Sequence, residues 1–427
     1  MKIVIQRDFY TEKIIRAMWN GDVKVITGIR RCGKSVLLFD LFYNYLLRQG
    51  VTEEQIIRIA LDQRRYYKYR SPITLCEYVE KLVQTDKEKQ FYLFVDEVQM
   101  TQTVTDTENG NTDVTIYDML NELKAYKNLD VYVTGSNSKG LSSDIATEFR
   151  GRATQIHVYP LSFKEYYTFV GGDERKALDN FMLYGGMPRI LSMQDDNDKK
   201  TYLSTLYKEL YMKDIVERNK VEREDILNDI LDFLASQVGS LTNPTNIANA
   251  LTSMKKEKVN PATVANYVRY VTDSYLIGMA KRYDVKGKTY FKYPNKYYYA
   301  DTGLRNARLN YRQYDPGHIM ENIIYNELIR REYAVDVGVV TDRSKGQNVQ
   351  KEIDFVVNAA DKKIYIQSAF QMETEQKITS EISSLLLAKD FFKKIVIRMD
   401  IPHNYYDENG IYHCNLTDFL LERADIL

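Results

Sequence analysis

The chain has 427 residues, about three times the length of a typical domain, so we expect two to four domains. Its 59 Lys and Arg residues are balanced by 59 Asp and Glu residues, which excludes a uniformly basic nucleic-acid coat and an acidic disordered tail. Three widely separated cysteines without a CxxC pair argue against a disulfide scaffold or structural zinc site and fit a reducing cytoplasm. No run approaches 18 apolar residues and the N-terminus has an early charge, so neither a membrane span nor a signal peptide is indicated.

Short apolar runs alternate with helix-like stretches over the first 160 residues. Most of these runs are continuous and rich in β-branched or aromatic residues, which is typical of buried parallel strands covered by helices on both faces. The alternation therefore predicts a doubly wound α/β domain. A polar segment without periodicity, Thr101–Thr115, is interpreted as a mobile insert. The predicted strands are Val23–Thr27, Ile56–Leu61, Phe91–Val95, Val131–Thr134 and Gln155–Tyr159.

The later part of the chain is predicted to be helical as far as about Asp273, with an interruption at the polar run Gln194–Lys200. Two strand-like runs follow, at Leu276–Arg282 and Lys288–Tyr293. The remaining pattern is mixed again, with a predicted helix at His318–Arg331. Further strands are predicted at Ala334–Val340, Glu352–Asn358, Lys363–Ser368 and Lys394–Met399.

A phosphate-binding loop is indicated by residues 28–35, GIRRCGKS, which fit GxxxxGK[ST] without departure. A predicted strand precedes the loop and a predicted helix follows it, which is the context that the motif requires. Backbone N–H groups and the helix N-terminus then surround phosphate oxygens. Lys34 is expected to reach the β- and γ-phosphates, and the Ser35 hydroxyl to bind Mg²⁺. The predicted ATP-binding residues are Gly28, Ile29, Arg30, Arg31, Cys32, Gly33, Lys34, Ser35 and Val36.

Two carboxylates end the predicted third strand, about sixty residues after the phosphate loop. Asp96 is expected to hold Mg²⁺ directly or through water, and Glu97 to polarise the attacking water as a general base. The next strand ends in the sequence TGSNS, which contains Ser136 and Asn137. Its polar side chains either touch the γ-phosphate or its water, or they form an ordinary turn.

Several segments resemble the AAA-type ATPases of bacteria and archaea, namely ITGIRRCGKS, FVDEVQ, VTGSNS and GRATQIHVYPLSFKEY. The segments QRDFY, YGGMPRI, ADTGLRNA, ENIIYNEL and KEIDFV extend the resemblance to a prokaryotic branch with a C-terminal domain of unknown function. The resemblance implies an AAA-like P-loop core at 1–168 and a helical lid at 169–222, to which Pro188 would belong.

The same resemblance assigns roles to four more residues. It implies that Ser136 or Asn137 senses the γ-phosphate. It also implies that Arg150 or Arg152 is an arginine finger that reaches the nucleotide of a neighbouring subunit in a homo-oligomer. A solvated loop is the alternative for these two arginines.

A basic segment lies between Thr245 and Ala300, where ten Lys and Arg residues stand against three acids, a local net charge of +7. Its order of helix, turn, helix and two strands resembles a winged helix, expected at 223–310. Basic side chains on such a face bind phosphates by releasing counterions. Winged helices also serve as protein-contact modules, lysine-rich surfaces are often only solvated, and the segment's tyrosines either stack on bases or pack. The nucleic-acid candidates are Arg269, Lys281, Arg282, Lys286 and Lys288.

The last part, at 311–427, resembles the restriction-endonuclease-like nuclease fold. It places Glu321 on a helix, Asp354 on a strand and Gln367 on the next strand. Such nucleases use an acid, any residue and a lysine on that last strand, where this chain has Gln367, Ser368 and Ala369. We therefore expect a retained scaffold without efficient cleavage, in which Glu321 and Asp354 are either a remnant of a metal site or structural.

An active nuclease would require a lysine from elsewhere, such as Lys351 or Lys363. The sequence as a whole favours a cytoplasmic, Mg²⁺-dependent ATPase in which ATP hydrolysis moves the basic winged helix and the nuclease-like domain on a nucleic acid. The alternative is a nucleotide-controlled module that binds a protein partner without nucleic acid. An ATP-gated nuclease is the third hypothesis.

Overall fold

The computed structural model describes residues 4–107, 110–135, 153–287, 289–342, 348–359 and 362–426. These residues form two compact units. The first extends to Pro160 and includes Asp273–Tyr275, and the second comprises Leu161–Thr272 together with the chain from Leu276 onward. The division into four domains at 1–168, 169–222, 223–310 and 311–427 therefore stays a prediction, with the last three grouped in one compact unit.

The first unit is built around a parallel sheet with the strand order β2–β3–β6–β1–β7. Every residue of β1, β3 and β6 is buried, as expected for central strands with helices on both faces. The strands of this unit are β1 (Val23–Thr27), β2 (Ile56–Ala60), β3 (Phe91–Asp96), β4 (Val104–Asp106), β5 (Thr112–Val114), β6 (Leu129–Thr134) and β7 (Ala153–His157).

Local hydrogen bonds define where the helices of the first unit begin. The Ser71 hydroxyl accepts from the backbone N–H of Thr74, and Thr115 and Asp118 cap each other's backbone reciprocally. The helices are α1 (Asp8–Ala17), α2 (34–48, with a π-helical segment Leu37–Phe42 between Lys34–Val36 and Tyr43–Arg48), α3 (Pro72–Val83) and α4 (Ile116–Leu123). Short 3-10 turns lie at Glu53–Gln55, Arg64–Arg70 and Val98–Met100.

The polar segment Thr101–Thr115 contains an antiparallel pair of strands, β4 and β5. These strands were not predicted, because the segment lacks the alternation of apolar and polar residues that indicates a strand. A hydrogen bond of 2.8 Å from Thr105 Oγ1 to Asp113 Oδ1 joins the two strands. Polar side-chain pairing across the strands therefore stabilises this hairpin in place of apolar packing.

The second unit begins with helices. The polar run Gln194–Lys200, expected as an interruption, instead starts a helix, because the Asp195 carboxylate accepts from the backbone N–H groups of Asn197 and Asp198. The helices are α5 (Phe163–Val170), α6 (Glu174–Tyr184), α7 (196–219, comprising Asp196–Leu206, Tyr207–Met212 and Lys213–Asn219), α8 (Glu224–Ser236), α9 (Pro244–Lys255), α10 (Pro261–Asp273), α11 (Thr302–Arg308), α12 (Pro316–Arg330), α13 (Glu375–Leu387) and α14 (Leu416–Leu420). A 3-10 turn at Pro188–Ser192 begins with Pro188.

A mixed sheet with the order β14–β15–β13–β12–β11–β10–β8–β9 completes the second unit. The hairpin β8–β9, expected as the wing of a separate domain, pairs through β8 with β10, so it continues the C-terminal sheet. The strands are β8 (Ile277–Asp284), β9 (Thr289–Tyr299), β10 (Ala334–Asp342), β11 (Val349–Ala359), β12 (Lys362–Ala369), β13 (Lys393–Arg398), β14 (Tyr405–Tyr406) and β15 (Tyr412–Asn415). Among the described residues, no helix combines the length and apolar character that a membrane span needs.

Candidate nucleotide-binding site

The loop between β1 and α2 takes a backbone path that favours glycine. Gly28 and Gly33 have φ angles of 142° and 107°, and Arg31 between them has a φ of 61°. A Cβ atom at Gly28 would lie 2.1 Å from the carbonyl oxygen of Val158. The first glycine of the motif is therefore required by close packing as well as by its backbone angle.

Arg7 braces this loop from the start of the chain. Its guanidinium is buried and donates to the carbonyl oxygens of Cys32 at 3.0 Å and Tyr159 at 2.9 Å. The Cys32 thiol in turn donates to the carbonyl oxygen of Val158 at 3.3 Å. The QRDFY segment served only as a point of resemblance, and this role of Arg7 was not predicted, because Arg7 lies between the polar residues Gln6 and Asp8 and no local pattern marks it as buried.

Lys34 lies buried inside the loop. Its Nζ donates to the carbonyl oxygens of Gly28 and Ile29, at 2.9 Å each. Phosphate oxygens carry full negative charge and accept stronger hydrogen bonds than carbonyl oxygens do. Bound ATP would therefore compete for this ammonium group.

Ser35 and Asp96, predicted as Mg²⁺ ligands, come together from the start of α2 and the end of β3. The Ser35 hydroxyl donates to Asp96 Oδ1 at 3.1 Å, and the Thr134 hydroxyl donates to the same oxygen. Burial raises the pKa of Asp96, and the two hydroxyl hydrogen bonds oppose that effect. A divalent cation would favour the ionised carboxylate, and hydroxyl and carboxylate oxygens are ligands that Mg²⁺ accepts. These residues therefore fit the metal.

Glu97 follows Asp96 in a left-handed backbone conformation, with a φ of 56°. Its N–H donates to Thr134 Oγ1 at 3.2 Å, and its carboxylate accepts from Gln99 Nε2. A non-glycine residue in this conformation costs about 1–2 kcal/mol, and such strain is concentrated at functional sites. Thr134 and Gln99, which position Glu97, were not singled out from the sequence, although both lie within the quoted motifs.

His157 lies near the loop but adds no cation. Its Nδ1 is 3.1 Å from Thr27 Oγ1, and burial together with the Lys34 ammonium lowers the pKa of His157 to about 3. The ring is therefore neutral at physiological pH. Five predicted site residues lie outside the described residues, namely Ser136, Asn137, Arg150, Arg152 and Lys288.

Two motifs of the second unit, YGGMPRI and ADTGLRNA, pack against each other. Asp301 accepts from the N–H of Gly186 at 2.6 Å and caps α11 by accepting from the N–H of Leu304 at 3.0 Å. Burial raises the pKa of Asp301 to about 6. A Cβ atom would lie 2.2 Å from Asp301 Oδ1 at Gly185, and 2.0 Å from the Tyr184 carbonyl oxygen at Gly303. The contacts of these motifs hold helices of the second unit together.

This packing predicts a large difference between two glycine-to-alanine changes. Gly185→Ala should lower the free energy of unfolding by about 3 kcal/mol, because it adds a steric clash to an unfavourable φ of 73°. Gly172→Ala is the matched control, since its φ is 78° but a Cβ atom would meet nothing within 4 Å, and it should cost about 1 kcal/mol. Urea-induced unfolding measures both, and equal losses would show that the clash with Asp301 is unimportant.

The three residues predicted as a nuclease-like remnant lie together in the second unit. Lys296 Nζ lies 2.7 Å from Glu321 Oε1 and 3.1 Å from Asp354 Oδ1. Gln367 Oε1 accepts from the N–H of Asp354 at 3.3 Å. Glu321, Asp354 and Gln367 are thus neighbours, but the lysine beside them was not predicted.

The two lysines that an active nuclease could have used in place of Ala369 have other partners. Lys351 Nζ lies 3.5 Å from Asp342 Oδ2, and Lys363 Nζ lies 5.3 Å from the centre of the Tyr283 ring. Lys296, which was counted in the basic segment, reaches the carboxylates instead. Lys255 of the same segment pairs with carboxylates of α8 at 2.7 and 2.9 Å. The local charge of +7 therefore overstates the basic surface.

Four of the five nucleic-acid candidates lie within the described residues. Arg269, Lys281 and Lys286 are exposed. Arg282 is half-buried, and its guanidinium donates to Gln350 Oε1. Three of these four candidates are thus exposed. Two of the three belong to the hairpin β8–β9, with Lys281 in β8 and Lys286 in the turn that follows β8.

Comparison with known protein families gives two adjacent matches. A profile described as an AAA domain matches residues 20–167, and a profile described as a domain of unknown function (DUF8612) matches residues 175–315. An uncharacterized protein of Haemophilus influenzae is 33% identical over 429 residues, which cover 99% of this chain and 100% of that protein. The uncharacterized protein MJ1544 of Methanocaldococcus jannaschii is 28% identical, over 88% of this chain and 79% of that protein.

Two solved structures show more distant similarity. The Walker-type ATPase PABY2304 of Pyrococcus abyssi has a TM-score of 0.47 at 17% identity, covering 72% of this chain and 96% of that chain. The Orc1 protein of Aeropyrum pernix, solved in complex with DNA, has a TM-score of 0.29 at 10% identity, covering 73% of this chain and 94% of that chain. From the full-length match and the AAA profile, we conclude that the chain belongs to the same family as the Haemophilus influenzae protein and carries a prokaryotic AAA-type P-loop ATPase domain.

Proposed function

We propose that the chain binds ATP with Mg²⁺, hydrolyses it to ADP and phosphate, and uses the reaction to rearrange its second unit on a nucleic acid. The observation that carries the ATPase proposal is the hydrogen bonding of Ser35 and Thr134 to Asp96, with strained Glu97 next to it. This arrangement supports a metal-assisted attack of water on the γ-phosphate.

Each residue at this site has a distinct proposed role. Lys34 would neutralise the β- and γ-phosphates, and Ser35 and Asp96 would hold Mg²⁺, which supplies charge stabilisation when bound. Glu97 would accept a proton from the attacking water, with its carboxylate oriented by Gln99. The γ-phosphate sensor (Ser136 or Asn137) and the arginine finger (Arg150 or Arg152) remain proposals from the resemblance.

The proposal for nucleic acid places the contact at the hairpin β8–β9. Lys281 is exposed, and Tyr290, on the partner strand, exposes 60% of its surface. The rings of Tyr290 and Tyr283 are in contact, with centroids 5.1 Å apart, and Lys363 lies over Tyr283. Lysines beside exposed aromatic rings provide phosphate contacts together with surfaces on which bases stack.

Two further structural proposals accompany this one. The helices α8 to α10 followed by the hairpin β8–β9 support a winged-helix arrangement. The sequence α12–β10–β11–β12–α13–β13, in which β11 is antiparallel to both of its neighbours and β12 is parallel to β13, supports a restriction-endonuclease-like scaffold. Both assignments rest on the order and direction of elements.

Salt dependence tests the nucleic-acid proposal. Affinity for DNA or RNA should fall steeply with salt, and the double change Lys281→Glu and Lys286→Glu should weaken binding by similar factors for every sequence, because lysines contact the backbone. Basal ATP hydrolysis should persist, since both lysines lie outside the AAA-type domain. Fluorescence anisotropy at several salt concentrations measures the effect, and unchanged binding at low salt would remove this surface from the proposal.

A second candidate function is a nucleotide-controlled module that binds a protein partner. It is favoured by exposed apolar residues next to the start of β13, where Phe391 is fully exposed and Leu386 and Phe392 are more than 40% exposed. Clustered exposed apolar groups are typical of protein–protein contact sites. ATP turnover that responds to a co-purified protein but not to nucleic acid would favour this candidate.

A further inference from the structure

An acidic cluster in the second unit surrounds one buried lysine. Lys296 comes from β9, Glu321 from α12, and Glu352 and Asp354 from β11. Lys296 Nζ lies 2.7 Å from Glu321, 2.5 Å from Glu352 and 3.1 Å from Asp354. The three N–H groups of the ammonium are thus matched by three carboxylates, each within hydrogen-bond distance.

The charge of Lys296 is stable in this setting. Burial alone would lower the pKa of Lys296, but the charges of Glu321, Asp354 and Glu352 outweigh that effect and raise it well above its ordinary value. The side chain is only 3% exposed, so water does not replace these partners. The ammonium is therefore enclosed by three carboxylates inside the protein.

In the restriction-endonuclease-like scaffold, the positions of Glu321 and Asp354 imply a divalent cation between them. The residues present do not fit that cation. Lys296 already bridges Glu321 and Asp354, and a divalent ion at the same place would be strongly repelled by an ammonium a few ångströms away. The cluster has one place for a cation, and the lysine takes it.

Other oxygen atoms of the expected metal site already accept hydrogen bonds from groups of the protein. Gln367 Oε1 accepts from the backbone N–H of Asp354 at 3.3 Å, and Asp354 Oδ2 accepts from the backbone N–H of Ser368 at 2.9 Å. The Tyr298 hydroxyl donates to Glu321 Oε1 at 2.7 Å. Gln367 Oε1 and Asp354 Oδ2 thus accept from backbone N–H groups, and Glu321 Oε1 accepts from the Tyr298 hydroxyl as well as from Lys296.

We propose that Lys296 is the resident cation of this acidic cluster in place of a divalent metal, so that the second unit keeps a nuclease-like scaffold that neither binds a metal there nor cleaves nucleic acid. Lys296 also joins β9, at one edge of the sheet, to α12 and β11, because its three partners come from those two elements. Lys296 thus positions the three carboxylates and neutralises part of their charge. In the function proposed above, the second unit then binds nucleic acid without cleaving it.

Binding of Mn²⁺ to the full chain, without nucleotide, tests this proposal. Electron paramagnetic resonance should show the same number of bound Mn²⁺ ions for the wild type and for Glu321→Gln, whose amide oxygen can still accept from Lys296. Lys296→Met should gain one Mn²⁺ site in the cluster that the wild type lacks. That gained site should be lost when Lys296→Met is combined with Glu321→Gln.

Several outcomes would overturn the proposal. A Mn²⁺ ion bound by the wild type and lost in Glu321→Gln would show that the cluster takes a metal beside the lysine. Metal-dependent nicking of DNA or RNA by the wild type, abolished in Glu321→Gln, would show that it is catalytic. A folded Lys296→Met variant without a new Mn²⁺ site would show that the lysine does not stand in for a metal. If Lys296→Met does not fold, the comparison of wild type with Glu321→Gln still decides.

Discussion

Lys34→Ala is expected to weaken ATP binding by about 10- to 150-fold. The ammonium is the cation proposed to contact the phosphates, and a charge-assisted hydrogen bond contributes roughly 1.5–3 kcal/mol, where 1.4 kcal/mol is a factor of ten in affinity. Lys34 is buried, so a lysine on the protein surface cannot easily take its place beside the phosphates. Isothermal titration with ATP and Mg²⁺ measures the loss.

Lys34→Met provides the control for packing. It keeps the aliphatic stem but loses the hydrogen bonds to the carbonyl oxygens of Gly28 and Ile29, so it separates loss of charge from loss of side-chain volume. Both variants should bind ATP equally weakly. Tight ATP binding by either variant would show that the chain does not need Lys34 to bind the phosphates of ATP.

Glu97→Gln is expected to keep ATP binding and to lower the turnover number by about 100- to 10 000-fold, the usual contribution of a general base. The amide is nearly isosteric with the carboxylate, and the Asp96 contacts with Ser35 and Thr134 remain. The proposed base is therefore removed while the phosphate loop and the proposed metal ligands are preserved. Phosphate release under saturating ATP, together with the ATP dissociation constant, measures the separation.

Asp62→Asn is a matched control for the change in charge. Burial, and to a smaller extent the charges of Glu97 and Asp62, raise the pKa of Asp96, so both variants remove one negative charge from the same surroundings. Asp62 is exposed and has no proposed part in the reaction. Turnover should stay within a few-fold of wild type in Asp62→Asn, and an equal loss in both variants would remove Glu97 from the mechanism.

Much of the first unit could be predicted because its signals are local. Continuous apolar runs such as Phe91–Val95 identified the buried strands to within about two residues of their ends, and the phosphate loop lies between a strand and a helix as its motif requires. The proximity of Ser35 and Asp96 was predicted from their motifs, because the phosphate loop is followed about sixty residues later by a strand that ends in two carboxylates.

The features that sequence reasoning missed depend on contacts between distant segments. Arg7 reaches the carbonyl oxygen of Tyr159, 152 residues away, and no local pattern encodes that contact. The pairing of β8 with β10 is equally non-local, so the sequence did not show that the hairpin continues the C-terminal sheet. Lys296 counted as a surface charge because its carboxylate partners come from elements that follow it in the chain.

Steady-state phosphate release by the wild-type chain, with ATP and Mg²⁺ and with or without added DNA or RNA, tests the central proposal most directly. We expect turnover that requires Mg²⁺, exceeds the rate of Glu97→Gln by at least about a hundredfold and rises when nucleic acid is added at low salt. Stimulation should be lost in the double variant Lys281→Glu and Lys286→Glu. Mg²⁺-dependent release no faster than that of Glu97→Gln would contradict the proposed ATPase, and release that nucleic acid leaves unchanged would contradict the proposed coupling.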